Sequence, residues 1–237
     1  MPKKKAKVEV PEWNMITWIV PSFANPDGLE QVLNMLELDV APASAIVILE
    51  TGDLNLLVYQ NLLKKQVEQG KKIGAVYSRG GNLCGAVNHI TSICTTSYSF
   101  CVISDNALPQ SGTTKLYEAI ALWLKKYVRR PDDAVIGLFA SDNEHRFELF
   151  PVVSIGAVGR LGYMFHPVCM YRSLAERWLI DTAKMADKLT LIPGVKMVSN
   201  GFVDDHPTAE YNECRLVYER HLPGIRRIDA QRIAERR

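Results

Sequence analysis

In the stretch SFCVISDNALP, Ser99 to Pro109, a buried-looking run stops abruptly at polar residues. Tyr98, Phe100, Val102 and Ile103 have the character of a buried strand, and Ser104-Asp105-Asn106 stands at its tip. Ligands of open α/β sheets sit just beyond the carboxyl ends of strands. An acid placed there can hold a divalent cation, which in turn holds a phosphate. Asp105 is therefore a candidate metal ligand with Asn106 beside it. The alternative is a polar turn in which Asp105 caps the next segment. Arg79 precedes Gly80-Gly81 and a helix start at Asn82, a position suited to an anion, although a lone loop arginine is more often merely solvated. A second Ser-Asp-Asn, Ser141 to Asn143 with Glu144 and His145 behind it, also ends an apolar run and reads as a turn.

Such residues need a frame. MITWIV (Met15 to Val20), ASAIVILE (Ala43 to Glu50), KKIGAVYS (Lys71 to Ser78) and the run ending at Ile103 are strand-like. Between them lie segments with helical spacing. Leu29, Val32, Leu33 and Leu36 recur at i, i+3, i+4 and i+7 behind Asp27, which is placed to cap. Further helices are predicted from Leu54 to about Gln69 and from Asn82 to Thr95. Strands alternating with helices predict a largely parallel, doubly wound sheet. Beyond Ser104 the rhythm changes. Helices are predicted over Gly112 to Tyr127, Ser173 to Asp187 and Thr208 to about His221. DAVIGLFAS, YMFHPVCMYR and KMVSNGF read as strands, and RFELFPVVSIGAVG as a strand pair or irregular segment.

The chain has 237 residues, 47% of them hydrophobic and 23% charged, which suits one large globular domain with a real core. No run of about 18 apolar residues predicts a membrane-spanning helix. The start, MPKKKAKVEVPEW, lacks the apolar run of a secretory signal. Five scattered cysteines without a CxxC pair argue against zinc and against a disulfide framework, and a reducing cytoplasm is the expected setting.

At this point a family resemblance emerges. WIVPSFANPDGLEQVLNML (Trp18 to Leu36) resembles the opening of family-2-type glycosyltransferases of the GT-A fold. NLCGAVNHI (Asn82 to Ile90) is similar to their GLAGARNxG segment, and FCVISDNALP lies where their acidic DxD tip follows a strand. GRLGYMFHPVCMYRSLAERW resembles the stretch that builds their acceptor side, and GFVDDHPTAEYNECR the region of their catalytic carboxylate. The order holds over about residues 15 to 224. The resemblance implies an α/β GT-A (Rossmann-like) fold, a mostly parallel twisted sheet flanked by helices with a mixed second half. It divides the chain into a basic tail (1–12), a single domain (13–224, the nucleotide half 13–110 and the acceptor half 111–224) and a basic C-terminal tail or helix (225–237). This chain departs from the family pattern at the tip, where Asn106 replaces an acid, and at Val87 and Asn82, which replace the family's Arg and Gly.

The implied chemistry is transfer of a sugar from a nucleotide-sugar donor, a UDP-sugar first among candidates, to an acceptor hydroxyl, with inversion. The leaving diphosphate needs its charge neutralised, usually by Mn²⁺ or Mg²⁺, and Asp105 and Asn106, with His206 or His221, are candidate ligands. The acceptor hydroxyl needs a base. Asp205, ahead of His206-Pro207 at a helix start, is preferred to Asp204, and Glu210 is the other register. An N-cap carboxylate is the plain alternative for Asp205. The resemblance assigns nucleotide contacts to Pro21, Ser22, Phe23, Glu50, Arg79, Asn82, Asn88 and Ser104, with Asp53 near Glu50; Phe23 reads equally well as a core residue. Two rival functions stay open. One is a nucleotidyltransferase, although PSFANPDG lacks its basic Gly-rich loop; the other is a domain that binds nucleotide-sugar without turnover.

Lys3, Lys4, Lys5 and Lys7 give the N-terminal end +4, and Arg220 to Arg237 carry another +4 against +2 for the whole chain, so residues 8–219 carry −6. Basic ends on an acidic body suggest arms for a polyanion. The expected acceptors are a hydroxylated DNA base, as in some phage relatives, a glycan, or a lipid-linked phosphate. Solubilising lysines and a C-terminal helix (Ile225, Ile228, Ile233) packed on the body or on a second subunit are the alternative.

Overall fold

The computed structural model describes residues 15–36, 38–39, 42–79, 82–105, 107–109, 116–141, 150–167, 169, 172–199, 209–221 and 223–235. The first half follows the expected alternation: β1 (Ile16–Ser22), α1 (Pro26–Met35), β2 (Ala43–Glu50), α2 (Leu56–Glu68), β3 (Ile73–Ser78), α3 (Leu83–Ile93) and β4 (Ser99–Val102). The second half comprises β5 (Ala107–Pro109), α4 (Leu116–Tyr127), β6 (Ile136–Ser141), β7 (Val152–Ser154), α5 (Ile155–Leu161), α6 (Arg172–Met185), β8 (Leu189–Ser199), α7 (Ala209–His221) and α8 (Pro223–Ala234).

The eight strands form one sheet in the order β3-β2-β1-β4-β7-β6-β8-β5. β1 pairs in parallel with β2 and β4, β2 with β3, and β6 with β8. β7 and β5 run against their neighbours. Both faces are covered, so the central strands carry apolar residues at nearly every position. Ile16, Trp18 and Val20 of β1, with Cys101 and Ile103, pack against Leu29 and Val32 of α1, Tyr59 of α2 and Trp123 of α4. Ile19, Phe100 and Val102 point the other way, onto Val87 of α3, Leu161 of α5, Trp178 of α6 and Ile233 of α8.

Several elements differ from the sequence expectation. The cap of α1 is Asn25, not Asp27: Pro26 opens the helix, and the Asn25 side chain accepts from Gly28 N at 3.1 Å. The run PVVSIGAVG divides at Ser154 into β7 and a helix. The Ser154 hydroxyl accepts from Ala157 N at 3.3 Å, and Gly162 at φ 82° ends α5. YMFHPVCMYR is not a strand among its described residues. Met164 N and Phe165 N both donate to Asn88 Oδ1 at 3.0 and 2.9 Å, and Phe165 O accepts from Asn88 Nδ2 at 2.7 Å. A side chain thus satisfies the backbone that a neighbouring strand would have paired. β5 was not expected; it pairs antiparallel with β8, which starts well before Lys196 and bends at Gly194, φ 84°. The second Ser-Asp-Asn lies outside the described residues beyond Ser141. The C-terminal helix packs against α6 and α5, burying Asp229, Ala230 and Ile233.

Candidate functional site

The ends of β1, β2, β3 and β4 open onto one cleft of about 530 Å³, lined by Pro21, Ser22, Phe23, Ile48, Glu50, Ser78, Leu83 and Asp105. Parallel strands with helices on both faces leave their carboxyl ends as the natural place for such a cleft. Phe23 is 65% exposed, so it is a wall of the cleft mouth and not a core residue. Glu50 stands half-buried at the end of β2.

Asp105 is 8% exposed and is tied backward to the loop after β1. Ser22 Oγ donates to its Oδ2 at 2.9 Å, and the Asn25 side chain and the Phe23 backbone also bond it. The turn beyond it closes without the carboxylate, through Ala107 N to Ser104 O at 3.0 Å, and Ser104 Oγ lies 3.5 Å from Asp105 Oδ1. Burial pushes the Asp105 carboxyl above the ordinary carboxylate range, and those hydrogen bonds only partly offset it. Gly28 permits this packing: a methyl there would come within 2.5 Å of the Asp105 carbonyl. Beneath the loop, Tyr59 bonds Ser22 and accepts from Asn25 N at 2.8 Å. Asp53 accepts from Ala24 N at 2.8 Å and from Asn55. Burial works to raise the Asp53 pKa, yet these bonds hold it below the ordinary value. Its carboxylate is committed to the loop.

Pro21, Ser22, Phe23, Glu50 and Asp105 therefore meet at one cleft, with Ser104 adjoining. Ile48, Ser78 and Leu83 also line it; Ser78 ends β3, so the strand-end rule that pointed to Asp105 could have found it. Arg79 is exposed just past β3, outside the lining. Asn82 caps α3 by accepting from Gly85 N at 3.0 Å, and Asn88 is spent on the 164–165 backbone. Asn106, Asp204, Asp205 and His206 lie outside the described residues, and Glu210 lies in the first turn of α7.

Among the described residues no three His, Cys, Asp or Glu side chains gather to hold a divalent ion. A single buried carboxylate facing an open cleft does not fit an ion held by protein alone. It fits one that takes most of its oxygen shell from a diphosphate and water.

No protein-family model matches the sequence, and no curated protein does. Solved structures do match. A mannosyltransferase from Pyrobaculum calidifontis, in complex with GDP-Man and Mn²⁺, superposes with TM-score 0.62 at 12% identity over 93% of this chain and 69% of that one. S. aureus TarS 1–349 gives 0.57 at 8% identity over 76% of this chain and 59% of that one. GalNAc-T7 with UDP, GalNAc and Mn²⁺ gives 0.56 at 7%, covering 80% of this chain and 44% of that one. No helix among the described residues is long and apolar enough to cross a membrane. The strand order, the reversed β7 and β5, and these superpositions together identify the chain as having the GT-A fold of glycosyltransferases.

Proposed function

We propose that the chain is a glycosyltransferase that moves a sugar from a nucleotide-sugar, a UDP-sugar in the first instance, to an acceptor hydroxyl with inversion. The observation that carries this reading is Asp105, a buried carboxylate in the wall of the strand-end cleft of a GT-A fold. Phe23 and Pro21 offer an apolar wall for the base, and Glu50 an acceptor for ribose hydroxyls. Asp105 would hold Mn²⁺ or Mg²⁺, which when bound neutralises the leaving diphosphate as a Lewis acid. Ser22, Asn25 and Phe23 fix the direction of that carboxylate. Deprotonation of the acceptor falls to Asp205, with Asp204 and Glu210 as the other registers. A hydroxylated DNA base, a glycan and a lipid-linked phosphate are the acceptors to try.

The test is release of nucleotide from UDP-, GDP- and CMP-sugars, with and without Mn²⁺. Metal-dependent turnover of one donor is expected, reduced about 10²–10³-fold by Asp105→Asn. Turnover that ignores Asp105→Asn would overturn the assignment, and consumption of a nucleoside triphosphate with a sugar phosphate would favour a nucleotidyltransferase. Asp205→Asn should cost about 10²–10⁴-fold while donor binding persists; loss with Glu210→Gln instead selects the other register. A second reading, donor binding without turnover, is favoured by the hydrogen bonds already on Asp105 and its raised pKa. Tight UDP-sugar binding with no release of nucleotide would establish it.

A further inference from the structure

At the opposite edge of the sheet, where β6 and β8 begin, there is a second cavity of about 370 Å³. Tyr127, Arg129 and Arg130 after α4, Asp133 to Val135 before β6, Arg160 of α5 and Lys188 before β8 line it. Helices of this fold run back against the strands, so their C-terminal ends meet this edge, where cations complement the helix dipole. Lys125 and Lys126 lie in such a last turn and are explained that way, whereas α5 follows the reversed β7 and begins at this edge. Arg160 is held by three backbone carbonyls, donating to Ile233 O and Asp132 O at 2.7 Å each and to Glu235 O. Arg130 lies 3.5 Å from Asp132 and 3.6 Å from Asp133, and Asp133 also accepts from Arg129 N and Arg130 N.

Arg129 and Lys188 are different. Both stand past the helix ends, and neither side chain has an ion pair or hydrogen bond among the described residues. The single acid of the wall is already satisfied, so the cavity keeps a net positive charge.

The first and last described residues, Met15 and Glu235, also lie at this edge. Arg160 donates to the carbonyl of Glu235, which puts the end of α8 at the cavity rim. At the other end, Ser99 Oγ donates to Met15 O at 2.9 Å, and Ser99 pairs with Ser154. Ser154 Oγ in turn donates to Asp133 O at 2.8 Å and accepts from Val135 N at 2.9 Å. The start of β1 thus lies three strand spacings, roughly 14 Å, from the cavity. Glu50 and Asp105 lie at the far edge.

We infer that this cavity binds a phosphate group, with Arg129 and Lys188 as its direct ligands and Arg130 and Arg160 supplying the surrounding field. The inference does not depend on the donor reading. The phosphate is that of a free phosphomonoester or of a phosphomonoester lipid headgroup such as phosphatidate, since both present the same dianionic group to a guanidinium and an ammonium.

The experiment titrates the full chain with inorganic pyrophosphate in EDTA at matched ionic strength, following Tm. The wild type and Asp105→Asn should both rise by about 5 °C or more near saturation, and the Arg129→Ala/Lys188→Ala double variant should not. Neither replaced side chain makes an ion pair or hydrogen bond among the described residues, so the unliganded double variant should fold with a Tm near that of the wild type, and each shift is read against its own unliganded Tm. A shift that persists in the double variant, or that disappears in Asp105→Asn, overturns the site. So does the absence of any shift in the wild type. Sedimentation with phosphatidate vesicles, lost in the double variant, assigns the phosphate to a lipid; pyrophosphate binding without sedimentation assigns it to a free ligand. Binding of duplex DNA without pyrophosphate overturns the cavity-sized ligand in favour of an extended polyanion.

Discussion

Asp105 depends on Ser22. Burial alone disfavours its charged form, and the Ser22 hydroxyl is among the donors that resist this. Removing that hydroxyl leaves a buried carboxylate less well solvated, and a hydrogen bond to a charged group is worth about 1.5–3 kcal/mol. Ser22→Ala should therefore weaken Mn²⁺-dependent UDP binding about 10-fold or more, measured by calorimetry with and without EDTA. An unchanged dissociation constant would detach Asp105 from the metal. At this scale Asp105 was legible from its place at a strand end, while Pro21, Ser22, Phe23 and Glu50 came from the family resemblance; all five line the one cleft. Asn88 matches the resembling segment and Asn82 departs from it, yet both amides are spent elsewhere, on a loop 77 residues away and on a helix cap. No local pattern reveals the partner of an amide at that separation.

Elements were legible where burial on both faces produces continuous apolar runs between amphipathic helices, as from β1 to β4. They were not where polar satisfaction decides the conformation. Three apolar residues in a row at 163–165 suggest a strand, but Asn88 takes both amide protons and one carbonyl of that segment. PVVSIGAVG carries two glycines of low helix propensity, and only the Ser154 hydroxyl, bonded to Ala157 N, Val135 N and Asp133 O, makes a helix there. Asn88→Ala should cost about 2–4 kcal/mol, because it strands two N–H groups and a carbonyl in the interior. Asn88→Asp, which keeps the acceptor, should cost less. Ser154→Ala should cost about 1–3 kcal/mol through the lost cap and the unpaired Val135 N–H. Urea denaturation measures all three, and equal midpoints for Asn88→Ala and wild type would mean the loop is held by its apolar side chains alone.

Across the whole molecule, the helices on the second face are joined by an aromatic and polar seam. His166 lies 4.2 Å from the Trp178 ring of α6 and 5.2 Å from Tyr163. Tyr163 donates to Asp229, which is fully buried on α8. Trp178 meets Tyr218 of α7 edge-on at 6.0 Å, and Tyr218 and Arg226 both bond Asp181. Burial holds His166 below its ordinary pKa, and the nearby Asp229 charge only partly opposes this. Above about pH 6.5 the imidazole is neutral in both folded and unfolded chains and contributes no pH dependence. As pH falls below that value the unfolded chain takes up the proton first, so stability drops until the folded pKa is passed. One proton sets a limiting slope of about 1.4 kcal/mol per pH unit, or about 3–5 °C for a chain of this size. His166→Phe keeps the stacking and removes the titration. Measured relative to its own Tm at pH 8, the variant should therefore lose less Tm between pH 7 and 5 than the wild type, since the carboxylates common to both proteins cancel in the comparison. Parallel Tm curves across that range would mean that His166 gains its proton without disturbing the seam.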